Sequence, residues 1–312
     1  MILYIFITTA AILYGCNKYD ESFNEAKTYS ILAVVENSID TKTVVDNVPS
    51  NIYPDARIGI LWNHDDKIGV YSASTLNSAF SSDMIAGTVA SSALFSGTLN
   101  DNALYAYFPY SADNNNVTAD AVRGVIPEDQ EYDIDTRRIP ADYKIGVQRK
   151  DANGTPIAGS FSFTSILSLL RVDIDATQTV LAGEQLQKII LIFPEDNIAR
   201  GNLTINLETQ KTSITSGSNT LNMVWSGSPN LTAGKQYTGY ITCAPMKFAA
   251  DETGTPATVT VSIETSGHIA SFNATLNTDF APNTMYTFPL KLSKWAEKGA
   301  AVNWSVSDKS VQ

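Results

Sequence analysis

The chain is poor in the side chains that do chemistry. Its 312 residues include two cysteines, Cys16 and Cys243, and two histidines, His64 and His268, which stand far apart in sequence. Two cysteines cannot build a disulfide framework, and neither lies in a Cys-x-x-Cys or Cys/His spacing of the zinc type. His64 is followed by Asp65 and Asp66, a trio able to ligate a metal but also suited to a polar turn before the next strand. Asp151-Ala152-Asn153-Gly154 opens like a calcium loop, lacks the later acidic ligand, and so reads as a turn. Tyr105, Tyr107, Phe108 and Tyr110 could stack against a sugar. In a strand, however, Tyr105 and Tyr107 share one face and Phe108 takes the other, so part of this cluster must be core. Patterns of the G-x-S-x-G, H-E-x-x-H, Walker or Rossmann kind do not stand in a fitting context. The expectation is a protein that is not an enzyme and needs no metal or cofactor.

The composition suits folded domains. Hydrophobic residues make up 44 % and charged residues 17 %, too apolar for disorder, and 312 residues are enough for two domains. The formal net charge is -11, which repels phosphate backbones and argues against a nucleic-acid partner.

Residues 2–15 carry no charge and are too few for a comfortable membrane span, a length that suits the core of a signal peptide. The run ends in Leu13-Tyr14-Gly15-Cys16 and gives way to a polar stretch. This resembles a bacterial lipobox, in which a small residue precedes a cysteine that is acylated and becomes the mature N-terminus, acyl chains then serving as the membrane anchor. The alternatives are a plain signal peptide, or a short anchor helix with an incidental cysteine. Cys243 lies in an apolar strand pattern and reads as a small buried hydrophobe.

Beyond residue 28 the apolar residues recur with period two. Leu203, Ile205 and Leu207 alternate with Thr204 and Asn206, and Val259, Val261 and Ile263 repeat the pattern, as do Ala270, Phe272, Ala274 and Leu276. Clusters of Gly, Pro, Asn and Asp separate these runs, and no long segment has helical periodicity, so the chain reads as all-β, a sandwich or barrel. Between Phe161 and Ile174 the phase switches: Phe161, Phe163, Leu167 and Leu169 share one phase, while Leu170, Val172 and Ile174 take the other. A bulge or bend must send the second part to a different face. Residues 187–194 are apolar on both phases and suit a central strand. The expected organisation is a signal peptide over 1–15, a polar tether over 16–27, a first domain over 28–178 and a second over 179–312, with the boundary near 176–184.

Six short motifs follow one another in order: Trp62 to Tyr71, Phe95-Ser96-Gly97-Thr98-Leu99, Ala106-Tyr107-Phe108-Pro109-Tyr110, Ile126 to Tyr132, the phase-switching Phe163 to Ile174, and Phe280 to Phe288 with Asn283 where a Gly is usual. With the lipobox, this series is similar to the fimbrillin family of Bacteroides-type bacteria. The resemblance implies two tandem transthyretin-like β-sandwich domains, export as an outer-membrane lipoprotein to the cell surface, and assembly into a pilus with other pilin subunits. Proteolysis removes a first strand, and a terminal strand of a neighbouring subunit fills the groove, which is β-augmentation. In this chain residues 29–35 suit the first strand, Lys42 and Arg57 are the candidate cleavage points, and Val302, Trp304 and Val306, alternating with polar residues, are the candidate donor strand. The bland alternative for that last segment is an edge strand on its own domain. The competing function is a non-polymerising surface adhesin that binds glycan or host protein.

Overall fold

The computed structural model describes residues 27–35, 44–45, 60–176, 179, 181–248, 254–276, 278–292 and 302–304. They form β1 (Lys27–Val35), β2 (Val44–Val45), β3 (Ile60–Asn63), β4 (Lys67–Ser72), β5 (Ser78–Ser82), β6 (Val89–Ala90), β7 (Ser92–Leu99), β8 (Ala103–Phe108), β9 (Val122–Ile126), β10 (Asp129–Tyr132) and β11 (Lys144–Lys150). There follow β12 (Pro156–Ser165), β13 (Ser168–Asp175), β14 (Leu186–Ile192), β15 (Arg200–Asn206), β16 (Lys211–Ser218), β17 (Thr220–Trp225), β18 (Gln236–Cys243), β19 (Thr258–Thr265), β20 (Ile269–Thr275), β21 (Met285–Lys291) and β22 (Val302–Trp304). The protein is all-β.

Seven strands close a barrel in the order β1-β12-β11-β8-β4-β5-β7. A second unit is built from a sheet β10-β17-β14-β19-β20-β22, a sheet β18-β13-β21 and a sheet β16-β15-β9. A small sheet, β2-β3-β6, stands beside the barrel strands. Each unit has its own core. Ile31, Trp62, Phe80, Phe95, Phe161 and Phe163 are buried in the barrel, whereas Leu170, Val172, Leu191, Ile205 and Val261 belong to the core of the second unit. The units meet through the outer faces of barrel strands: Tyr71 of β4, Tyr107 of β8 and Ile145 of β11 pack into the second core.

Period-two patterning produced the strands where it was read. Within β15, Leu203 and Ile205 are buried while Asn202 is exposed. β14 is central, lying between β17 and β19, as its apolar phases suggested, although Ile192 at its end is exposed. The phase switch marks a crossing from one unit to the other. Phe161 and Phe163 point into the barrel, Val172 and Ile174 into the second core. The chain turns between them, where Ile166 N donates to Tyr143 O and Leu167 N to Ser165 Oγ. Strand pairing therefore gives β13 to the second unit, together with β9 and β10, which arrive from the connection between β8 and β11. A cut after residue 178 leaves these three strands with the first segment although they hydrogen-bond in the second unit.

Asn283 has φ 55, in the left-handed region where its counterpart in the resembling family is Gly. Asn tolerates that conformation better than most other side chains.

Tyr71 is packed where the units meet, and Tyr132 and Tyr240 pack on each other within the second unit. Burial pushes the Tyr240 phenol up to about 12 against the opposing pull of the neighbouring Arg171, and burial likewise drives Tyr71 and Tyr132 well above the ordinary value. Groups with raised folded pKa values contribute stability that is intact below the unfolded value, about 10, and lost as pH rises through the folded values. Melting temperature is therefore expected to fall steeply above about pH 10, with phenolate absorbance appearing together with unfolding. Ionisation of these tyrosines well before loss of the β-sheet circular dichroism signal would contradict the packing described.

Candidate assembly site

β1 closes the barrel, bonded along both of its edges. It pairs antiparallel with β7 from Lys27↔Leu99 to Val34↔Ser92, and parallel with β12 from Leu32↔Ser160 to Val35↔Phe163. Ile31, Ala33 and Val35 point inward and are buried. Burying each of the larger two contributes about 1.5–3 kcal/mol. Taking β1 away would leave β7 and β12 with unpaired main-chain edges and a row of three small-to-medium pockets.

Two glycines shape the slot. A Cβ on Gly97, opposite Tyr29, would lie 2.4 Å from Phe80 Cδ2, so the ring of Phe80 occupies the space a side chain would need. Gly159 has φ +66, and its missing Cβ would stand 3.1 Å from Ser30 O. There β12 bends away, and the parallel pairing with β1 starts at Leu32↔Ser160. The floor of the slot is aromatic: Trp62 is met edge-on by Phe95, Phe108 and Phe163 at 5.1, 5.4 and 5.1 Å between ring centres.

Beside Trp62 the barrel holds a buried charge. Lys144 is fully buried, its Nζ bonded to Asp142 Oδ2 and 5.0 Å from the centre of the Phe108 ring. Burial pulls its pKa down, and the Asp142 carboxylate opposes that shift. Asp66, also buried, accepts from Asn63 N at 2.7 Å and faces Arg138 at 3.5 Å, while Arg138 also bonds Asp65. Strand β11 and the turn after β3 are thus joined through charge as well as packing. Sequence reasoning missed Lys144, since a Lys at the start of a strand carries no mark of burial.

The motifs weighed for chemistry are occupied with structure. His64 Nδ1 sits 2.6 Å from Asn63 Oδ1 in the turn, and its two acidic neighbours serve the Arg138 contacts. Asp151 Oδ1 accepts from Asn153 N and Thr155 N at 2.8 and 2.9 Å, a side-chain-capped turn with Gly154 at φ +82. Phe108 is in the barrel core, and Tyr107 is buried on the opposite face, its hydroxyl donating to Asn77 Oδ1 at 2.8 Å. Cys243 is buried, which pushes its thiol up and leaves it unreactive. Among the described residues, no three His, Cys, Asp or Glu side chains gather as a metal site.

Cys16, Lys42, Arg57 and Val306 lie outside the described residues. Val302 and Trp304 belong to β22, which pairs parallel with β20 from Phe272↔Val302 to Ala274↔Trp304. In this chain the segment is therefore an edge strand of the second unit, in a different sheet from β1.

No family model matches the chain, and no curated protein does. A crystal structure of a proposed cell adhesion protein from Bacteroides ovatus is similar, with TM-score 0.52, 16 % identity, and coverage of 85 % of this chain and 92 % of that one. The chain shares the fold of that protein. Another proposed cell adhesion protein, from Bacteroides uniformis, aligns over 86 % of this chain and 94 % of its own at 17 % identity with TM-score 0.49. A fimbrial protein from Bacteroides ovatus aligns over 88 % of this chain and 50 % of its own at 12 % identity with TM-score 0.32. The six-motif resemblance is thus met at the level of the fold.

Two changes probe the slot. Ile31→Ala is expected to cost about 2–5 kcal/mol in urea unfolding, as a buried deletion does. Lys144→Met is expected to cost about 3–5 kcal/mol by stranding Asp142, whereas Lys144→Met with Asp142→Leu recovers most of the loss. A double variant no better than the single would mean that the pair is not the cause.

Proposed function

We propose that this chain is a non-catalytic subunit of a cell-surface pilus of the fimbrillin kind, anchored in the outer membrane as a lipoprotein through Cys16 and assembled by strand exchange at the β1 slot. The observation that carries this reading is that β1 is bonded to the barrel on both edges but is followed by the segment that holds Lys42 and Arg57. Cleavage within residues 36–59 leaves β1 held by non-covalent contacts alone. A strand of the same two-residue period can then replace it, recovering the main-chain hydrogen bonds and filling the pockets of Ile31, Ala33 and Val35. In this reading the barrel and the second unit correspond to two transthyretin-like domains. The names of the similar Bacteroides proteins support a surface role in adhesion.

The middle position of the slot holds only the small side chain of Ala33, which is fully buried. A donor strand that set Trp304 there would overpack the barrel. A neighbouring subunit whose strand has a small residue at that position fits better than a second copy in that register, so this reading favours a mixed polymer. The alternative, a non-polymerising adhesin that binds glycan or host protein, keeps β1 in place for life.

Limited trypsin treatment of the chain lacking residues 1–16 separates the two. The pilus reading expects one early cut between residues 36 and 59, abolished by Lys42→Gln with Arg57→Gln, and then denaturant-resistant multimers with a partner pilin. A cut chain that stays monomeric with every pilin offered, or one that resists cleavage, moves the assignment to the adhesin. Cys16→Ser is expected to release the full-length protein from the membrane fraction and to abolish labelling by a fatty-acid probe.

A further inference from the structure

Three sheet edges of the second unit, those of β9, β18 and β21, are capped by side chains or interrupted by proline. On β9, the Asn114 amide accepts from Arg123 N at 2.9 Å and donates to Arg123 O at 3.0 Å. Tyr143 Oη does the same for Val125, accepting from its N at 2.9 Å and donating to its O at 3.2 Å. On β18, the Gln130 amide accepts from Thr242 N at 2.9 Å and donates to Thr242 O at 2.8 Å. These side chains imitate a neighbouring strand. β21 carries Pro289, which lacks an N–H, and β20 is covered by β22.

Among the described residues, β16 has neither a side-chain cap nor a proline; its protection is confined to Lys211 at one end and a bulge at the other. It pairs with β15 on one side, and among the described residues no strand pairs with the other. Six of its eight residues are exposed, and Thr212-Ser213-Ile214-Thr215 is an uncharged run of strand-forming residues after the single charge of Lys211. Its straight part ends where Ser216, at φ 51, bulges with Gly217 opposite Gly201.

We propose that β16 is a docking edge for β16 of a second copy of this chain, paired antiparallel about Ser213. The straight run Lys211 to Thr215 fixes that centre. Thr212 then faces Ile214 of the second copy, a favourable cross-strand pair, and Lys211 faces Thr215, so the only charge in the run meets no like charge. The merged sheet has the order β9-β15-β16 and its two-fold mate, with a capped β9 at each end. Association therefore stops at two copies instead of growing into a fibre. Five residues a side make a small interface, and the net charge of -11 on each copy opposes it. The dimer is accordingly weak and strengthened by salt.

Sedimentation velocity on the chain lacking residues 1–16, which keeps every described residue, tests this from about 10 μM to about 1 mM at low and high salt. A monomer–dimer equilibrium is expected, tighter at about 0.5 M than at about 0.05 M salt. Ser213→Lys places two like charges opposite each other at the two-fold and is expected to weaken association at least about tenfold. Ser213 is exposed, so an unchanged melting temperature separates this effect from unfolding. A parent that stays monomeric throughout, or a dimer indifferent to Ser213→Lys, overturns the proposal. The result does not depend on cleavage after β1, so uncut protein gives the test without bearing on the pilus reading.

Discussion

An unpaired main-chain edge is the constraint from which the rest of this structure follows. Each N–H and C=O left facing nothing costs about as much as a lost hydrogen bond, and a row of them invites a foreign strand. The barrel meets the constraint by closure. β1 fits between β7 and β12, antiparallel to one and parallel to the other, and no barrel edge remains. Because the closing strand also delivers Ile31, Ala33 and Val35 to the interior, the aromatic packing around Trp62 depends on the same event. Hydrogen bonding and core burial are joined in one segment.

The second unit cannot close in this way and uses side chains instead. Asn114, Tyr143 and Gln130 each offer an acceptor and a donor to one residue of an edge strand. Asn114 and Gln130 lie in the long connection between β8 and β11, and Tyr143 stands at its end. That connection therefore does three things: it supplies β9 and β10 to the second unit, it caps two edges, and it returns to the barrel beside the buried Lys144–Asp142 pair. A buried ion pair gains little stability over an apolar pair of the same volume, but one partner without the other is costly. Its contribution here is to hold the returning chain to one position.

The same physics gives the functional reading its shape. A strand that closes a barrel is strongly held while the chain is intact, through main-chain bonds on both sides, and becomes replaceable once its covalent tether is cut. The pocket row it leaves is selective by size. In the proposed exchange Ala33, the smallest buried side chain of β1, would set the size condition on an incoming strand.

Much of the fold was legible in the sequence because strand periodicity is local. Leu203 and Ile205, or Val259, Val261 and Ile263, announce their buried face through nearest neighbours alone, and the phase switch between Phe163 and Leu170 announced a change of sheet. The six motifs fall on or beside strands for the same reason. What only the tertiary structure decided is pairing. Nothing local tells that β9 and β10 leave the first segment for the second unit, that Lys144 is buried against Asp142, or that Asn114 and Tyr143 stand in for a missing strand. Those facts are set by contacts between residues far apart in the chain, where the energy of one hydrogen-bonded edge depends on which other edge arrives to meet it.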